Sequence, residues 1–275
     1  MNLNLSGKVV VITGGTQGIG KACVDAFLAE GCKVATCART RSRIDAFQFD
    51  YVGKQVLAFC ADVSSPEEMY KLSDETALAF GGIDIWVNNA GIYPRGYLAD
   101  ISLEEWRQTF STNVDGVFHG SRAAIPHMRK RGRGVIINAA SFAAFMPTAG
   151  RGAYGVTKAA VQHMTKVFGA ELAPDNIRVV SFLPGFIATD LTSPVIGEYE
   201  MDRIKMQSAQ NRNGLPEEVA PVVVFLASDS SSFITGSGIE VSGGKYCVQN
   251  PDMPWNRDNS TQYFNTLTER PWKKS

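Results

Sequence analysis

The chain has 275 residues, 44% of them hydrophobic and 20% charged, and its 27 basic side chains balance 27 acidic ones. This length is compatible with one α/β domain around a single core, and the balanced charge does not favour nucleic acid as a partner. No apolar run reaches the roughly 18 residues of a membrane span, and residues 1–7 lack the pattern of a secretory signal. The five cysteines form no Cys-x-x-Cys pair, which is typical of reduced thiols in a cytoplasmic protein.

Short apolar runs alternate with longer amphipathic runs along the chain. The predicted strands are Lys8–Thr13, Lys33–Cys37, Val56–Cys60, Ile83–Asn88, Gly134–Asn138, Ile177–Phe182 and Gly238–Val241. The predicted helices are Ile19–Glu30, Pro66–Phe80, Leu103–Arg131, Ala153–Leu172 and Glu217–Ser228. This alternation predicts an α/β fold with a doubly wound, Rossmann-like, mostly parallel sheet that is flanked by helices on both faces.

The last part of the chain differs from the rest. Nothing divides residues 1–245, so we expect one domain there, whereas residues 246–275 are polar and carry Trp255, Tyr263, Phe264 and Trp272. Disordered ends are usually poor in aromatic residues. We therefore expect this C-terminal tail to pack on the domain or on a neighbouring subunit, with a disordered end as the alternative.

A glycine-rich turn lies between the first predicted strand and the first predicted helix. Gly14, Gly18 and Gly20 allow a tight turn and a close approach of the backbone, while Thr16, Gln17 and Ile19 complete the segment. The helix that follows offers free N–H groups and the positive end of its dipole to a pyrophosphate. Such a turn can also be a simple connection, but its place after the first strand of a parallel sheet favours phosphate binding.

The spacing Gly-x-x-x-Gly-x-Gly in this turn resembles that of the short-chain dehydrogenase/reductase family. Segments at Asp62-Val63, Asn88–Gly91 and Pro184–Thr189 resemble further motifs of that family in the same order, so that the resemblance runs from about Leu5 to Gly244. It implies a bound dinucleotide. The residues that it assigns to the cofactor, beyond the glycine-rich turn, are Asp62 and Val63 at the adenine, Asn89, Ala90 and Gly91 beside the cofactor, and Pro184, Gly185, Ile187 and Thr189 at the nicotinamide carboxamide.

The end of the second predicted strand indicates which nicotinamide cofactor binds. An acidic residue there would bind the ribose 2′-hydroxyl of NAD and repel a 2′-phosphate. Here Ala38 stands at the family's acidic position and Arg39 follows it, with Arg41 and Arg43 nearby. Because a guanidinium binds phosphate well, the sequence predicts NADP(H) in preference to NAD(H). The alternative is that these arginines are the solvated start of a helix.

Tyr154 and Lys158 form a Tyr-x-x-x-Lys pair, and residues four apart share one face of a helix. A phenol ionises near pH ~10 and is a weak base at neutral pH. We expect Lys158 and an oxidised nicotinamide ring, both positive, to lower the pKa of Tyr154, so that it can exchange a proton with a substrate oxygen. The pair also binds the cofactor in this family.

Two more residues complete the catalytic set that the resemblance implies. Ser141 follows the fifth predicted strand at the family's distance from Tyr154, and its expected role is to hold the substrate oxygen. Asn113 matches the family's helix asparagine, whose expected role is to hold a water that links Lys158 to solvent. Asn113 can equally be a buried polar residue bonded to a backbone carbonyl. The three histidines have no ligand-like spacing, and no metal site is predicted.

These motifs predict an enzyme that transfers a hydride between nicotinamide and a secondary alcohol or ketone. The loops after the fourth strand, after Ser141 and after Thr189 are apolar, which favours a hydrophobic or cyclic substrate such as a hydroxysteroid. Their apolar residues are Tyr93, Tyr97, Phe142, Phe145, Met146, Phe186 and Leu191.

Two other functions fit the same motifs. A 3-oxoacyl-[acyl-carrier-protein] reductase would be expected to show a basic docking patch, and the basic cluster of residues 129–133 lies at a helix end that we expect to face away from the site. A catalytically silent NADP(H)-binding sensor would need no catalytic residues, so the complete catalytic set argues against it. Family members commonly pair their long helices between subunits, and we expect a homodimer or homotetramer.

Overall fold

A computed structural model describes residues 3–189, 203–245, 247–249, 251 and 253–256. The strands within these residues are β1 (Val9–Thr13), β2 (Lys33–Ala38), β3 (Val56–Cys60), β4 (Ile85–Asn88), β5 (Gly134–Ala139), β6 (Ile177–Pro184) and β7 (Gly238–Val241). The main helices are α1 (Gly18–Ala29), α2 (Arg41–Asp50), α3 (Pro66–Phe80), α4 (Leu103–Phe110), α5 (Gly116–Arg131), α6 (Gly152–Glu171) and α7 (Pro216–Ala227).

The strands form a seven-stranded parallel sheet in the order β3-β2-β1-β4-β5-β6-β7. Successive residues of β1 point to opposite faces. Ile12 packs in one core layer with Phe27 of α1 and Val223 of α7, whereas Val11 packs in the other layer with Met69 of α3. Both faces are therefore covered by helices, and the predicted doubly wound α/β fold is confirmed.

Two helical features differ from the prediction. Helix α2 was not predicted, because only Ile44 and Phe47 of its ten residues are buried and its apolar face is correspondingly weak. The helix predicted over Leu103–Arg131 is interrupted by a π-helical turn, Ser111–Asp115, between α4 and α5. A π turn often marks a functional site, but no glycine or proline in this segment signals it.

A row of buried polar side chains crosses the centre of the sheet. Asn88 of β4 and Asn138 of β5 are register partners, and the Asn88 Nδ2 donates to the Asn138 Oδ1 at 2.8 Å. The same Nδ2 also donates to Ser121 Oγ of α5 at 3.1 Å, and the Asn138 Nδ2 donates to Thr165 Oγ1 of α6 at 3.0 Å. This network links α5 and α6 to the middle of the sheet.

The C-terminal tail is described only in part. Trp255 Nε1 donates to the carbonyl oxygen of Ala209 at 2.8 Å, so the tail contacts its own chain at this point. The other aromatic residues of the tail lie outside the described residues, and the domain boundary at residue 245 stays a prediction. Among the described helices none is long and apolar enough to cross a membrane.

Replacing Asn138 by alanine is predicted to destabilise the fold. Asn138→Ala removes the hydrogen bonds that join residue 138 to Asn88 Nδ2 and to Thr165 Oγ1, while each of these groups keeps its other partner, Ser121 Oγ or the Val161 carbonyl oxygen. A hydrogen bond contributes about 0.5–1.5 kcal/mol, so the loss of two should lower the free energy of unfolding by about 1–3 kcal/mol. Urea denaturation should show this loss, and the double variant Asn88→Ala/Asn138→Ala should lose less than the sum of the single variants. The exposed Gln108→Ala is the control. Additive losses in the double variant would contradict the coupling.

Candidate active site

A cleft of about 430 Å³ opens between the residues that follow β1 and those that follow β4. The order of the strands reverses between these two neighbours, which is where doubly wound folds bind their ligands. The predicted site residues that line the cleft are Gly14, Thr16, Gln17, Gly18, Ile19, Gly20, Arg39, Val63, Asn89, Ala90, Gly91, Tyr154, Lys158, Pro184 and Thr189. The predicted site residues that are not among its lining are Asp62, Asn113, Ser141, Gly185 and Ile187.

The glycine-rich turn is shaped by contacts that exclude side chains. A Cβ on Gly20 would lie 2.2 Å from the Gly14 carbonyl oxygen and 2.5 Å from the Asn89 Nδ2. The Asn89 Nδ2 donates to the carbonyl oxygens of Thr13 at 3.1 Å and Gly14 at 3.2 Å, which joins the turn to the end of β4. The N-cap residue Gln17 makes no side-chain cap to α1. The first N–H groups of α1 therefore fit the pyrophosphate of a dinucleotide.

The arginines after β2 are divided between two sites. Arg39, Thr40 and Arg43 line the cleft, whereas Arg41 lines a neighbouring groove that Arg39 also borders. Arg39 Nη1 lies 3.9 Å from Asp62 Oδ2, and both side chains are partly exposed.

The carboxylate of Asp62 is hydrogen-bonded within a local turn. Its Oδ1 accepts hydrogen bonds from the backbone N–H and the hydroxyl of Ser64, at 2.9 and 2.8 Å. Its neighbour Val63 does line the cleft. Of the two residues that the resemblance assigns to the adenine, the structure thus brings only Val63 to the cleft wall.

Lys158 is almost completely buried beside Tyr154. Its Nζ donates to the Ala139 carbonyl oxygen at 2.6 Å and lies 5.6 Å from the centroid of the Tyr154 ring. Burial lowers the pKa of Lys158 to about 8. At neutral pH this ammonium is therefore still mostly protonated, next to the phenol.

The pKa of Tyr154 moves in the direction opposite to the predicted one. The pKa of Tyr154 is raised to about 12: burial has the largest effect and raises it, a hydrogen bond with the Ser141 hydroxyl lowers it, and the nearby Tyr93 raises it by a smaller amount. The predicted lowering by Lys158 is therefore wrong for the chain alone, because desolvation of the phenolate is the largest effect. The sequence analysis also expected the positive nicotinamide ring to lower the pKa of Tyr154. That ring is part of the cofactor and not of the chain.

Ser141 is hydrogen-bonded to the Tyr154 side chain, and Asn113 is hydrogen-bonded to Thr157 on the same helix. Ser141 Oγ accepts from Ala143 N–H at 3.2 Å and shares a hydrogen bond with the Tyr154 side chain. Asn113, in the π turn, accepts from Ile92 N–H at 2.8 Å and donates to the Ile92 carbonyl oxygen at 3.0 Å and to Thr157 Oγ1 at 3.2 Å. The side chain of Asn113 is thus bonded within the protein, as the alternative interpretation expected, and its role in a water relay stays a prediction.

Some residues of the segment after β6 line the cleft, and others support its wall. Pro184 and Thr189 line the cleft, and Thr189 lies against Gly18 of the glycine-rich turn. Gly185 supports the wall, since a Cβ there would lie 2.8 Å from the Ser242 Cα. Ile187 is buried and pairs with Gly214.

Some residues of the site were missed by the sequence analysis. Thr13 Oγ1 accepts from the N–H groups of Asn89 and Ala90 at 3.0 and 3.1 Å, and Thr40 and Thr112 line the cleft. A threonine directly after an apolar strand was the available signal for Thr13. Thr112 had none, because the π turn that exposes it to the cleft is not readable from its residues.

Comparison with known proteins identifies the family. A family model described as enoyl-(acyl carrier protein) reductase matches residues 14–245. The 3-oxoacyl-[acyl-carrier-protein] reductase of Vibrio cholerae is 36% identical over 90% of this chain and 100% of its own length. The NADP-dependent (R)-specific alcohol dehydrogenase of Lentilactobacillus kefiri is 38% identical over 89% of this chain and 98% of its own.

A hydroxysteroid dehydrogenase and a solved structure extend this similarity. The 3-alpha-(or 20-beta)-hydroxysteroid dehydrogenase of Mycobacterium tuberculosis is 38% identical over 89% of this chain and 91% of its own. The crystal structure of a short-chain type dehydrogenase/reductase from Mycobacterium marinum covers 90% of this chain and 98% of its own, with 36% identity and a TM-score of 0.84. The chain belongs to the short-chain dehydrogenase/reductase family, whose members are oxidoreductases that use a nicotinamide cofactor on alcohols and ketones.

The buried cation of Lys158 is predicted to cost stability at neutral pH. Its pKa is about 8 in the folded chain and near 10.5 in the unfolded one, so the unfolded chain binds more protons between these values and stability rises with pH there. Lys158→Met removes the charge and should raise the free energy of unfolding at pH 7 by about 1–2 kcal/mol, after the loss of the bond to Ala139.

This advantage should shrink as the pH increases from 8 towards 10.5. Urea denaturation at several pH values measures it, with the exposed Lys71→Met as the control. If the gain in stability from Lys158→Met does not change with pH, the charge of the Lys158 ammonium is not its cause.

Proposed function

We propose that this protein is an NADP(H)-dependent oxidoreductase that transfers a hydride between nicotinamide and a secondary alcohol or ketone. The observation that carries the proposal is the grouping of Ser141, Tyr154 and Lys158 beside a cleft whose glycine-rich end fits a pyrophosphate. A sensor could use Tyr154 and Lys158 to bind the cofactor, but it would not need the Ser141 hydroxyl that is hydrogen-bonded to the Tyr154 side chain.

The proposed chemistry divides the work between cofactor and side chains. When bound, the reduced cofactor supplies the hydride that adds to the carbonyl carbon. The Tyr154 hydroxyl donates its proton to the carbonyl oxygen, and the Ser141 hydroxyl donates a hydrogen bond to the same oxygen. The Lys158 ammonium stabilises the phenolate that remains until a proton from solvent replaces the one lost. In alcohol oxidation every step runs in reverse, with the Tyr154 phenolate as the base.

Replacing Tyr154 by phenylalanine tests the proton donor. Tyr154→Phe keeps the ring but removes the hydroxyl, so ketone reduction should fall roughly 100-fold or more while the protein still binds NADPH. In wild-type protein, the rate of alcohol oxidation should fall as the pH falls, because the phenolate is the required form. NADPH oxidation with a ketone panel measures the first rate, NADP⁺ reduction with the matching alcohols measures the second, and Tyr70→Phe on α3 is the control. Turnover like that of wild type in Tyr154→Phe would reject the assignment.

The preference for NADP(H) rests on the positive charge at one end of the cleft. Arg39 and Arg43 line the cleft together with Thr40, and Ala38 places no carboxylate there to repel a 2′-phosphate. The NADP-dependent alcohol dehydrogenase of Lentilactobacillus kefiri supports the same preference by its similarity. Arg41 faces the neighbouring groove and is expected to contribute little.

This division among the arginines predicts a graded response to substitution. The ratio of kcat/KM for NADPH to kcat/KM for NADH should exceed one in wild type and fall by roughly tenfold or more in Arg39→Asp. Arg43→Asp should lower the ratio as well, whereas Arg41→Asp, which has the same change of charge, should lower it far less. A wild-type ratio that favours NADH would contradict the role of Arg39.

An apolar ketone or alcohol is the substrate class that we propose. Tyr97, Phe145 and Met146 are 65%, 60% and 44% exposed in the loops beside the catalytic residues, and such exposed apolar side chains often mark a binding surface. The similarity to a 3-alpha-(or 20-beta)-hydroxysteroid dehydrogenase supports a cyclic substrate such as a hydroxysteroid. Phe142 and Phe186 lie in the same loops, and Leu191 lies outside the described residues.

A 3-oxoacyl-[acyl-carrier-protein] reductase is the second candidate, and the similarity to the Vibrio cholerae enzyme favours it. Its expected basic docking patch is not formed by residues 129–133. Arg129 pairs with Asp175, Arg131 with Asp84 and Arg133 with Asp229, and Asp84 and Arg133 immediately precede β4 and β5. This cluster therefore lies at the edge of the sheet opposite to the cleft.

We also propose that the protein assembles as a homodimer or homotetramer through α5 and α6. Phe118 of α5 and Val156 and Val167 of α6 are each about two-fifths exposed. Apolar side chains at such positions on two long helices are available to pack against a second copy of the chain.

A further inference from the structure

The loop after β4 is attached to the start of helix α6. Gly96 N–H donates to the Gly150 carbonyl oxygen at 3.1 Å, and Gly96 forms an isolated β-bridge with Arg151. The side chain of Leu98 fills the space above Gly152, where a Cβ would lie 2.5 Å from the Leu98 Cγ. The loop therefore cannot shift without moving the first turn of the helix that carries Tyr154.

Tyr93, at the start of this loop, is held between two side chains of the same helix end. Its ring stands edge-on to the ring of Tyr154, with the centroids 4.6 Å apart and the planes at 86°. The Arg151 guanidinium carbon lies 4.7 Å from the Tyr93 centroid, and Arg151 is only 8% exposed. Edge-to-face aromatic pairs and desolvated cation–π contacts are both attractive, so the order Arg151, Tyr93, Tyr154 is a packed stack.

We propose that Tyr93, held by Arg151, is a positioning residue for Tyr154: its ring fixes the phenol of the proton donor and keeps water from one side of it. The catalytic meaning of this inference rests on the function proposed above for Tyr154. It assigns to Tyr93 a role different from that of a pocket wall, because the ring acts through Tyr154 and its effect should be the same for every substrate.

The electrostatics of Tyr154 agree with this geometry. Burial is the largest cause that raises its pKa, and Tyr93 is the neighbouring ionisable group that raises it further. Lys158, on the same helix, has its ammonium 5.6 Å from the ring centroid. The charged side chains of α4 and Asp115 of the π turn are exposed, and the turn at residues 142–144 carries none. Water exclusion by the Tyr93 ring is therefore the effect to test.

The first test needs neither cofactor nor turnover. The protein is labelled with 3-fluorotyrosine, and the fluorine resonance of Tyr154 is identified by its loss in Tyr154→Phe. The midpoint of its pH titration should lie about one unit lower in Tyr93→Ala than in wild type, because water reaches the phenolate. Tyr93→Phe keeps the ring and removes only the charge effect of the Tyr93 hydroxyl, so its midpoint should shift much less than that of Tyr93→Ala. An unchanged midpoint in Tyr93→Ala, or the same shift in Tyr93→Phe, overturns the proposal.

The second test separates positioning from a pocket wall. Tyr93→Ala should lower kcat by about tenfold to a hundredfold with small and large ketones alike, while the Kd for NADPH stays constant. The acidic limb of the pH profile for alcohol oxidation should move to lower pH, and Tyr93→Phe should restore both properties. A rise in KM for large ketones with unchanged kcat would make Tyr93 a pocket wall and overturn the proposal.

Two controls and one further variant complete the design. Arg151→Met should lower kcat in the same direction as Tyr93→Ala, whereas Arg122→Met, which removes the guanidinium that lies 5.6 Å from the Phe118 ring on α5, should not. Tyr70→Ala controls for the loss of an aromatic ring elsewhere. If wild type reduces no ketone but the fluorine midpoint still moves, the proposed function fails and the positioning of Tyr154 by Tyr93 stands.

Discussion

The hydrogen bond between the side chains of Asn88 and Asn138 is the contact on which the site depends. It joins β4 to β5 at the level where both strands end, and it lies in a core where an unmade bond is costly. Asn89, which directly follows β4, bonds to the glycine-rich turn, and Ala139, the last residue of β5, accepts a hydrogen bond from the Lys158 ammonium. The register of two strands thus sets how far the glycine-rich end of the cleft lies from Tyr154 and Lys158.

Burial shifts the pKa values of Tyr154 and Lys158 in opposite directions. Desolvation lowers the pKa of Lys158 and raises the pKa of Tyr154, so burial favours the neutral form of both in the chain alone. A positive cofactor ring beside the phenol would favour its phenolate form. The chain by itself therefore holds a proton donor, and under the proposed function the arrival of the oxidised cofactor makes the same residue a base.

At the other end of the cleft, the fold decides which of several arginines matter. The sequence singles out Arg39, which follows the family's acidic position, but it does not separate Arg41 from Arg43, because both lie at the start of a segment with a weak apolar pattern. Helix α2 begins at Arg41 and turns successive side chains to different sides, so Arg43 returns to the cleft and Arg41 faces the groove. Charge alone indicated a phosphate, and the helix that selects its partners became visible only in three dimensions.

The sequence by itself determined the seven strands, most of the helices between them, the family, and the places of the glycine-rich turn and of Tyr154 with Lys158. These depend on periodicity and short spacings, which are local. Only the tertiary structure decided the π turn that carries Asn113, the packing of Arg151 and Tyr93 against the Tyr154 ring, and the direction in which the pKa of Tyr154 shifts. The reason is physical: burial, and contacts between side chains distant in the chain, exist only when sheet and helices pack together, so no local pattern of residues contains them.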